Sequence, residues 1–214
     1  MDKRVASVGE ALAGLSDGAT VLVGGFGVPG VPQALIAAML ERGVRDLVLV
    51  ANGVTSFDAL IAAGRVRKVI CSFPRGDAPG AFEAAYKAGK VELEIVPQGT
   101  LSERVRAAAA GIGGYFTRVS VGTRLAEGKE VREIGGALHV LERPISGDMA
   151  LIKAQRGDRW GNLVYRKSAR NFNPVMAMAG RVTVAQVADI VELGELDPEY
   201  VHTPGIFVDR IVKV

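Results

Sequence analysis

The chain holds one cysteine, Cys71, among 214 residues, so no disulfide can form within it and a disulfide-stapled scaffold is excluded. Cys71 sits in the apolar run VRKVICSF. A small buried strand residue is the plain reading there, because a nucleophilic thiol needs a neighbour that stabilises the thiolate. Histidine is nearly as scarce: His139 and His202 lie far apart with no metal-ligand spacing, which gives no ground for a metal site and leaves both as surface or packing residues. No apolar run approaches the ~18 residues of a membrane span, and no leader pattern opens the chain, so the expectation is a cytoplasmic protein off the membrane. Blocks of like charge are also missing. The net charge is +3 with both signs interspersed, which argues against nucleic acid and anionic membranes as partners but is compatible with a small anionic ligand. No linker rich in Pro, Gly and Ser, no internal repeat and no low-complexity tract interrupts residues 1–214, so one domain is expected.

What the chain does have is apolar periodicity, with 49% hydrophobic residues, enough for a large core. Through about residue 112, helical patterns near 31–42, 56–63, 79–88 and 100–110 alternate with Val/Ile/Leu-dense runs: TVLVG (20–24), DLVLVA (46–51), RKVICS (67–72) and VELEIV (91–96). Such alternation predicts βαβ units, and strands this apolar predict a parallel sheet covered on both faces. Between Ile112 and Pro144 the helical period disappears and glycines accompany short alternating segments such as REIGGALHVLERP, which predicts a small antiparallel excursion. The α/β pattern returns with strands over DMALIKAQ (148–155), GNLVYRK (161–167) and RVTVAQV (181–187), a helix over 173–179, and a last strand in GIFVDRIVKV.

The first strand runs into GGFGVPG, which opens the helix VPQALIAAMLERG, with Pro32 suited to a first helical turn. Gly24, Gly25, Gly27 and Gly30 remove side-chain bulk at the strand's carboxyl end, and the helix behind offers free N–H groups suited to an anion. Spacing alone leaves two readings open, contact with a ligand or tight packing. It matches neither a P-loop, since no Lys-Ser or Lys-Thr follows, nor GxGxxG in its usual setting.

The longer stretch DGATVLVGGFGVPGVP (17–32) is more specific, and resembles the signature of the CoA-transferase family whose two subunits are homologous. The resemblance continues through VPQGTLSERVRAAAAGIG (96–113), EGKEVREI (127–134), GDRWGNLVYRKSARNFNPVMAMA (157–179) and VELGELDPEYVHTPGIFVDRIV (191–212), so that it covers essentially the whole chain. With VRKVICSFPR (66–75), these stretches look most like the A subunits of the 3-oxoadipate branch, followed closely by those acting on 3-oxobutyrate. The resemblance implies an α/β fold of the CoA-transferase and sugar-phosphate-isomerase kind. It also implies a ping-pong reaction through a glutamyl-CoA thioester, with acyl-CoA and small carboxylic acids as substrates and no permanently bound cofactor. The nucleophile then belongs to a homologous B subunit, in a Ser-Glu-Asn-Gly setting absent from these residues, and an α₂β₂ assembly is expected. Glu41, Glu92 and Glu94 fall on helix or alternating-strand patterns and read as solvated charges.

Gln98, in VPQGTL, matches the family position whose side chain donates to the tetrahedral oxyanion; a glutamine capping the helix that follows is the rival reading. The implied acyl site comprises Gly24, Gly25, Phe26, Gly27, Gly30, Asn52 and Gly53, with Arg75 as the cation for a distal carboxylate. Arg166, Lys167 and Arg170 suit an anion or an interface, and their neighbours Asn171, Phe172 and Asn173 read as turn and packing residues. The chain departs from the family in two places. ANGVTSF keeps only Asn52 and Gly53 of an Asn-Asn-Ala-Gly pattern, and Thr117, Arg118, Val119 and Ser120 replace Thr-Pro-x-Gly; both loops are expected to shape the acyl pocket. The implied function is CoA transfer from succinyl-CoA to 3-oxoadipate. Alternatives are the same chemistry on 3-oxobutyrate or acetate, a degenerate transferase chain, or a non-catalytic ligand-binding module of the same fold.

Overall fold

The computed structural model describes residues 1–76 and 80–214. After one helical turn, α1 (Val8–Ala11), come strands β1 (Thr20–Val23), β2 (Leu47–Gly53), β3 (Val66–Phe73) and β4 (Glu92–Ile95), joined through helices α2 (Gln33–Arg42), α3 (Asp58–Ala62) and α4 (Ala81–Lys87). Helix α5 (Gln98–Ala109) then leads to β5 (Tyr115–Thr117), β6 (Val131–Ile134) and β7 (Ala137–Glu142). The chain returns as β8 (Gly147–Asp158), β9 (Leu163–Val164), α6 (Asn173–Ala179), β10 (Gly180–Val191) and β11 (Arg210–Lys213). The main sheet runs β11-β10-β8-β1-β2-β3-β4, with β9 attached to β8. Every pairing along that path is parallel, and the β8–β9 hairpin is antiparallel.

The period of two in the strands sorts the core into two layers. Val21, Val23, Leu49, Cys71 and Leu151 face the layer of α1 to α4, whereas Leu22, Val50, Ile70 and Ile152 face α5 and α6. Strand β2 is buried along nearly its whole length because both faces are covered. Edge strand β4 is short and carries Glu92 and Glu94, which discourages further pairing. In α2, Leu35, Ile36 and Met39 turn one stripe to the sheet, and Gly43, at φ 76°, closes the helix in the left-handed region. The antiparallel excursion is a sheet of order β5-β7-β6. Its β6–β7 hairpin turns on Gly135 and Gly136, at φ 60° and 76°, the two positive-φ positions that a tight hairpin requires.

The expected architecture is therefore present, with local corrections. GNLVYRK contributes only the two residues of β9, since Tyr165 and His202 turn the chain there: the Tyr165 N–H donates to His202 Nδ1 at 3.0 Å and its hydroxyl meets Thr203 Oγ1 at 2.7 Å. In the last segment Gly205–Phe207 is a 3₁₀ turn, and the strand begins at Arg210. Pro32 caps α2 from outside its first turn. The helix expected over 79–88 is seen from Ala81, and Pro79 lies outside the described residues.

Candidate active site

Strand β1 is followed in the chain by β2 on one side and neighboured by β8 on the other, so the order of strands reverses beside it; open α/β sheets bind ligands at the carboxyl ends of strands around such a point. A cavity of about 280 Å³ opens there. Three successive loops wall it: Gly24 to Val28 after β1, Asn52 to Phe57 at the end of β2, and Phe73 to Gly76 after β3. Gly24, Gly25, Phe26, Gly27, Asn52, Gly53 and Arg75 are thus brought together.

Gly30 does not join them. It is buried behind the loop, where a Cβ would lie 2.6 Å from both Asn173 Nδ2 and the Ala169 carbonyl. Gly24 has the same constraint, since a Cβ would sit 2.0 Å from Asn173 Oδ1. At these two positions the packing explanation of the glycines applies, with Asn173 as the neighbour that demands it.

The N-terminus of α2 also differs from expectation. The Ala34 N–H donates to Gln186 Oε1 at 3.2 Å, so a buried glutamine from β10 already occupies part of the anion-binding position. Helix α5 is more open. It starts at Gln98 itself, behind Pro97, with no side-chain cap and no acidic residue in its first turn, which leaves first-turn N–H groups free. Gln98 therefore does not cap α5. It lies half-buried on a second cavity of about 320 Å³, together with Ser102, Asn171, Phe172 and Phe26. Phe26 lines both cavities, and its ring leans on Phe73 with centroids 6.3 Å apart.

Asn52 is 4% exposed, and its Oδ1 has no hydrogen-bond partner among the described residues. A buried amide oxygen without a partner costs about 1–3 kcal/mol, which a ligand able to donate would recover. Arg75 is exposed at the mouth. No carboxylate is among the described residues that line the first cavity.

Other sequence candidates lie elsewhere. Cys71 is fully buried among the apolar residues of the α1 to α4 layer, and burial pushes its thiol up to about 12, the state of a packing residue. Glu41 and Glu92 are exposed. Glu94 is not a solvated charge: Lys68 Nζ lies 2.7 Å and Arg104 Nη1 2.8 Å from its oxygens. Burial alone would raise its pKa, yet the hydrogen bonds from Lys68 and Arg104 outweigh that and hold it below the usual value. His139 belongs to the antiparallel sheet and His202 to the turn beside β9. Thr117 to Ser120 lie at the end of β5 and are not among the cavity's lining residues, so of the two altered loops only the one after β2 borders it.

Residues 5–214 match the family described as coenzyme A transferase. The chain belongs to that family. The CoA-transferase fold is seen again in glutaconate coenzyme A-transferase from Acidaminococcus fermentans, with a TM-score of 0.88 at 22% identity over 99% of this chain and 75% of that one. Two curated CoA-transferase relatives align over nearly the full length. The A subunit of the 3-oxoadipate CoA-transferase of Pseudomonas putida is 54% identical, covering 100% of this chain and 94% of its own. The A subunit of a probable succinyl-CoA:3-ketoacid coenzyme A transferase of Bacillus subtilis is 47% identical, covering 99% and 90%. The resemblance read from DGATVLVGGFGVPGVP is borne out, and over its whole length this transferase chain corresponds to the A subunits. Among the described residues no helix is long and apolar enough to cross a membrane.

Proposed function

We propose that this chain is the A subunit of a cytoplasmic two-subunit transferase that moves CoA from succinyl-CoA to 3-oxoadipate. One observation carries the reading: a cavity of small-acid size adjoins Gln98 at the open end of α5, with Phe26 on the walls of both spaces. At about 280 Å³ the first cavity is near the lower end of the ~300–1,000 Å³ typical of ligand sites, so it suits the acyl end of the substrate and not the whole thioester.

In this reading the attack on the succinyl-CoA carbonyl comes from a glutamate carboxylate of a homologous B subunit, and the CoA thiolate leaves to give a mixed anhydride. The thiolate then attacks the glutamyl carbonyl, releasing succinate and leaving CoA on the enzyme as a thioester. The 3-oxoadipate carboxylate attacks that thioester and the thiolate is released again. It then attacks the acyl carbonyl of the new anhydride, giving 3-oxoadipyl-CoA and the free glutamate. Each attack builds charge on a tetrahedral oxygen. The Gln98 amide and the free N–H groups of the α5 first turn are donors for it, and one such donor is worth roughly 3 kcal/mol. Arg75 meets the distal carboxylate, while Gly24, Gly25, Gly27, Gly53 and Asn52 form the wall along the chain of the acid. CoA is a substrate here, and the assembly is α₂β₂.

The name of the Bacillus subtilis relative, a transferase for a 3-ketoacid, supports a second reading in which the acid is another 3-oxo acid; 3-oxobutyrate, which has no distal carboxylate, is the one to compare. Purifying the chain with and without its B partner and measuring transfer from succinyl-CoA to 3-oxoadipate and to 3-oxobutyrate decides between them. Activity is expected only in the pair. Gln98→Ala should lower kcat about 100-fold, and Arg75→Ala should raise KM for 3-oxoadipate but not for 3-oxobutyrate. Full activity of the chain alone, or none with any acid from a stable pair, overturns the reading.

A further inference from the structure

The carbonyls of the glycine loop are held from behind by two asparagine side chains. Asn173 is fully buried at the start of α6. Its Oδ1 accepts from the Lys153 N–H at 2.9 Å, and its Nδ2 donates to Gly30 O at 3.1 Å and to Ala169 O at 2.8 Å. This happens where β1 leaves the sheet: the last rung toward β8 is the Gly24 N–H on Leu151 O, at 2.9 Å. Two residues farther along β8 the amide of Asn173 has taken over the place of the missing strand. Asn171 Nδ2 donates to Pro29 O at 3.0 Å and to Ser168 O at 2.7 Å. Pro29 O also accepts the Phe26 N–H, at 3.1 Å. One carbonyl therefore joins Asn171, on the wall of the Gln98 cavity, to Phe26, which stands on the walls of both cavities.

We propose that Asn171 and Asn173 are positioning residues that fix the glycine loop so that Phe26 partitions the acid cavity from the Gln98 cavity. The proposal rests on the reading of those cavities given above. Its physical basis is that a loop whose tip is exposed, from Phe26 to Pro29, has few contacts of its own to define a position. Two carboxamides supply directional bonds at Pro29 and Gly30, and Gly24 and Gly30 lack the Cβ that would push Asn173 away. With the partition fixed, the distal end of the acid is kept on the Arg75 side and the reacting carboxyl near Gln98.

The experiment uses the chain paired with its B partner and the variants Asn171→Ala, Asn173→Asp and Phe26→Ala. Asn173→Asp keeps the acceptor for Lys153 and removes the donor to Gly30; the half-buried Asn171 tolerates truncation with less risk to folding. Hydrogen exchange of a peptide spanning residues 24–31 should lose about tenfold protection in each asparagine variant, the equivalent of one net hydrogen bond, while β8 and β10 keep theirs. The preference for 3-oxoadipate over 3-oxobutyrate should narrow by a similar factor. Phe26→Ala, which removes the partition and leaves the asparagines in place, should narrow the preference without faster exchange at residues 29–31. Unchanged loop exchange in Asn171→Ala and Asn173→Asp overturns the proposal, as does faster exchange with unchanged acid preference. If the unaltered pair transfers no CoA, the functional reading fails separately, and loop exchange still decides whether the asparagines hold the loop.

Discussion

Gly24 and Gly27 look interchangeable in GGFGVPG, yet their surroundings differ. A Cβ on Gly24 would lie 2.0 Å from Asn173 Oδ1 and 3.3 Å from Asn173 Cα, whereas one on Gly27 would meet nothing within 4 Å, although its φ is +59°. Gly24→Ala must displace a buried, fully bonded side chain and is expected to cost about 3 kcal/mol. Gly27→Ala meets only backbone strain, about 1 kcal/mol. Urea midpoints of the two variants check this, and equal losses would mean that Asn173 does not press on β1. That Gln98, Asn52 and Arg75 sit at or just beyond the carboxyl ends of strands was legible, because strand ends are readable from hydrophobic runs. The packing role of Asn173 is legible in its setting, but its bonds to Gly30 and Lys153 join segments 143 and 20 residues apart, and no local pattern encodes that.

Among the elements, the antiparallel sheet is anchored to the main body by buried charge. Glu142 of β7, 1% exposed at its side chain, lies 2.6 Å from Lys129 Nζ and 3.7 Å from Arg104 Nε. Arg104 in α5 also reaches Glu94 on β4 and the Arg143 carbonyl, at 2.8 Å and 2.6 Å. The Tyr115 hydroxyl of β5 donates to Thr100 O at 3.2 Å. Lys129→Met strips a buried carboxylate of its nearest cation and is expected to cost about 3 kcal/mol. Adding Glu142→Leu should recover most of that loss, because the orphaned charge goes with it; a double-mutant cycle by chemical unfolding measures the difference. The excursion itself was readable, since loss of the helical period and a Gly-Gly turn between alternating segments are local signals. Its attachment was not: Glu94 shows the alternation of a solvated strand face, and only packing brings Lys68 and Arg104 to it.

At the scale of the molecule, two side chains that packing takes partly out of water, His202 and Glu94, make its stability depend on pH. His202 is lowered from 6.5, mainly because burial disfavours the imidazolium and secondarily because Arg170 repels it. The unfolded chain therefore binds the proton more readily, and stability is lost as pH falls below about 6.5. Glu94, lowered from 4.5, contributes stability that is present above that value and lost as pH falls through its folded pKa. Both slopes have the same sign, so the urea midpoint should rise from acid toward neutral pH in two steps. His202→Asn should remove the upper step and leave the lower one; a midpoint flat from pH 7 down to 5 would contradict the His202 assignment, and one flat below pH 4.5 the Glu94 assignment. Local pattern was enough to settle the parallel sheet, its two covered faces, the antiparallel excursion and the family, because these follow from periods of two and 3.6 and from stretches that keep their residues in order. Whatever depends on distant segments meeting was left to packing in three dimensions. Packing set Gly30 behind the loop, gave the α2 terminus to Gln186 and brought Phe26 onto the walls of two cavities, since each depends on contacts between segments far apart in the chain.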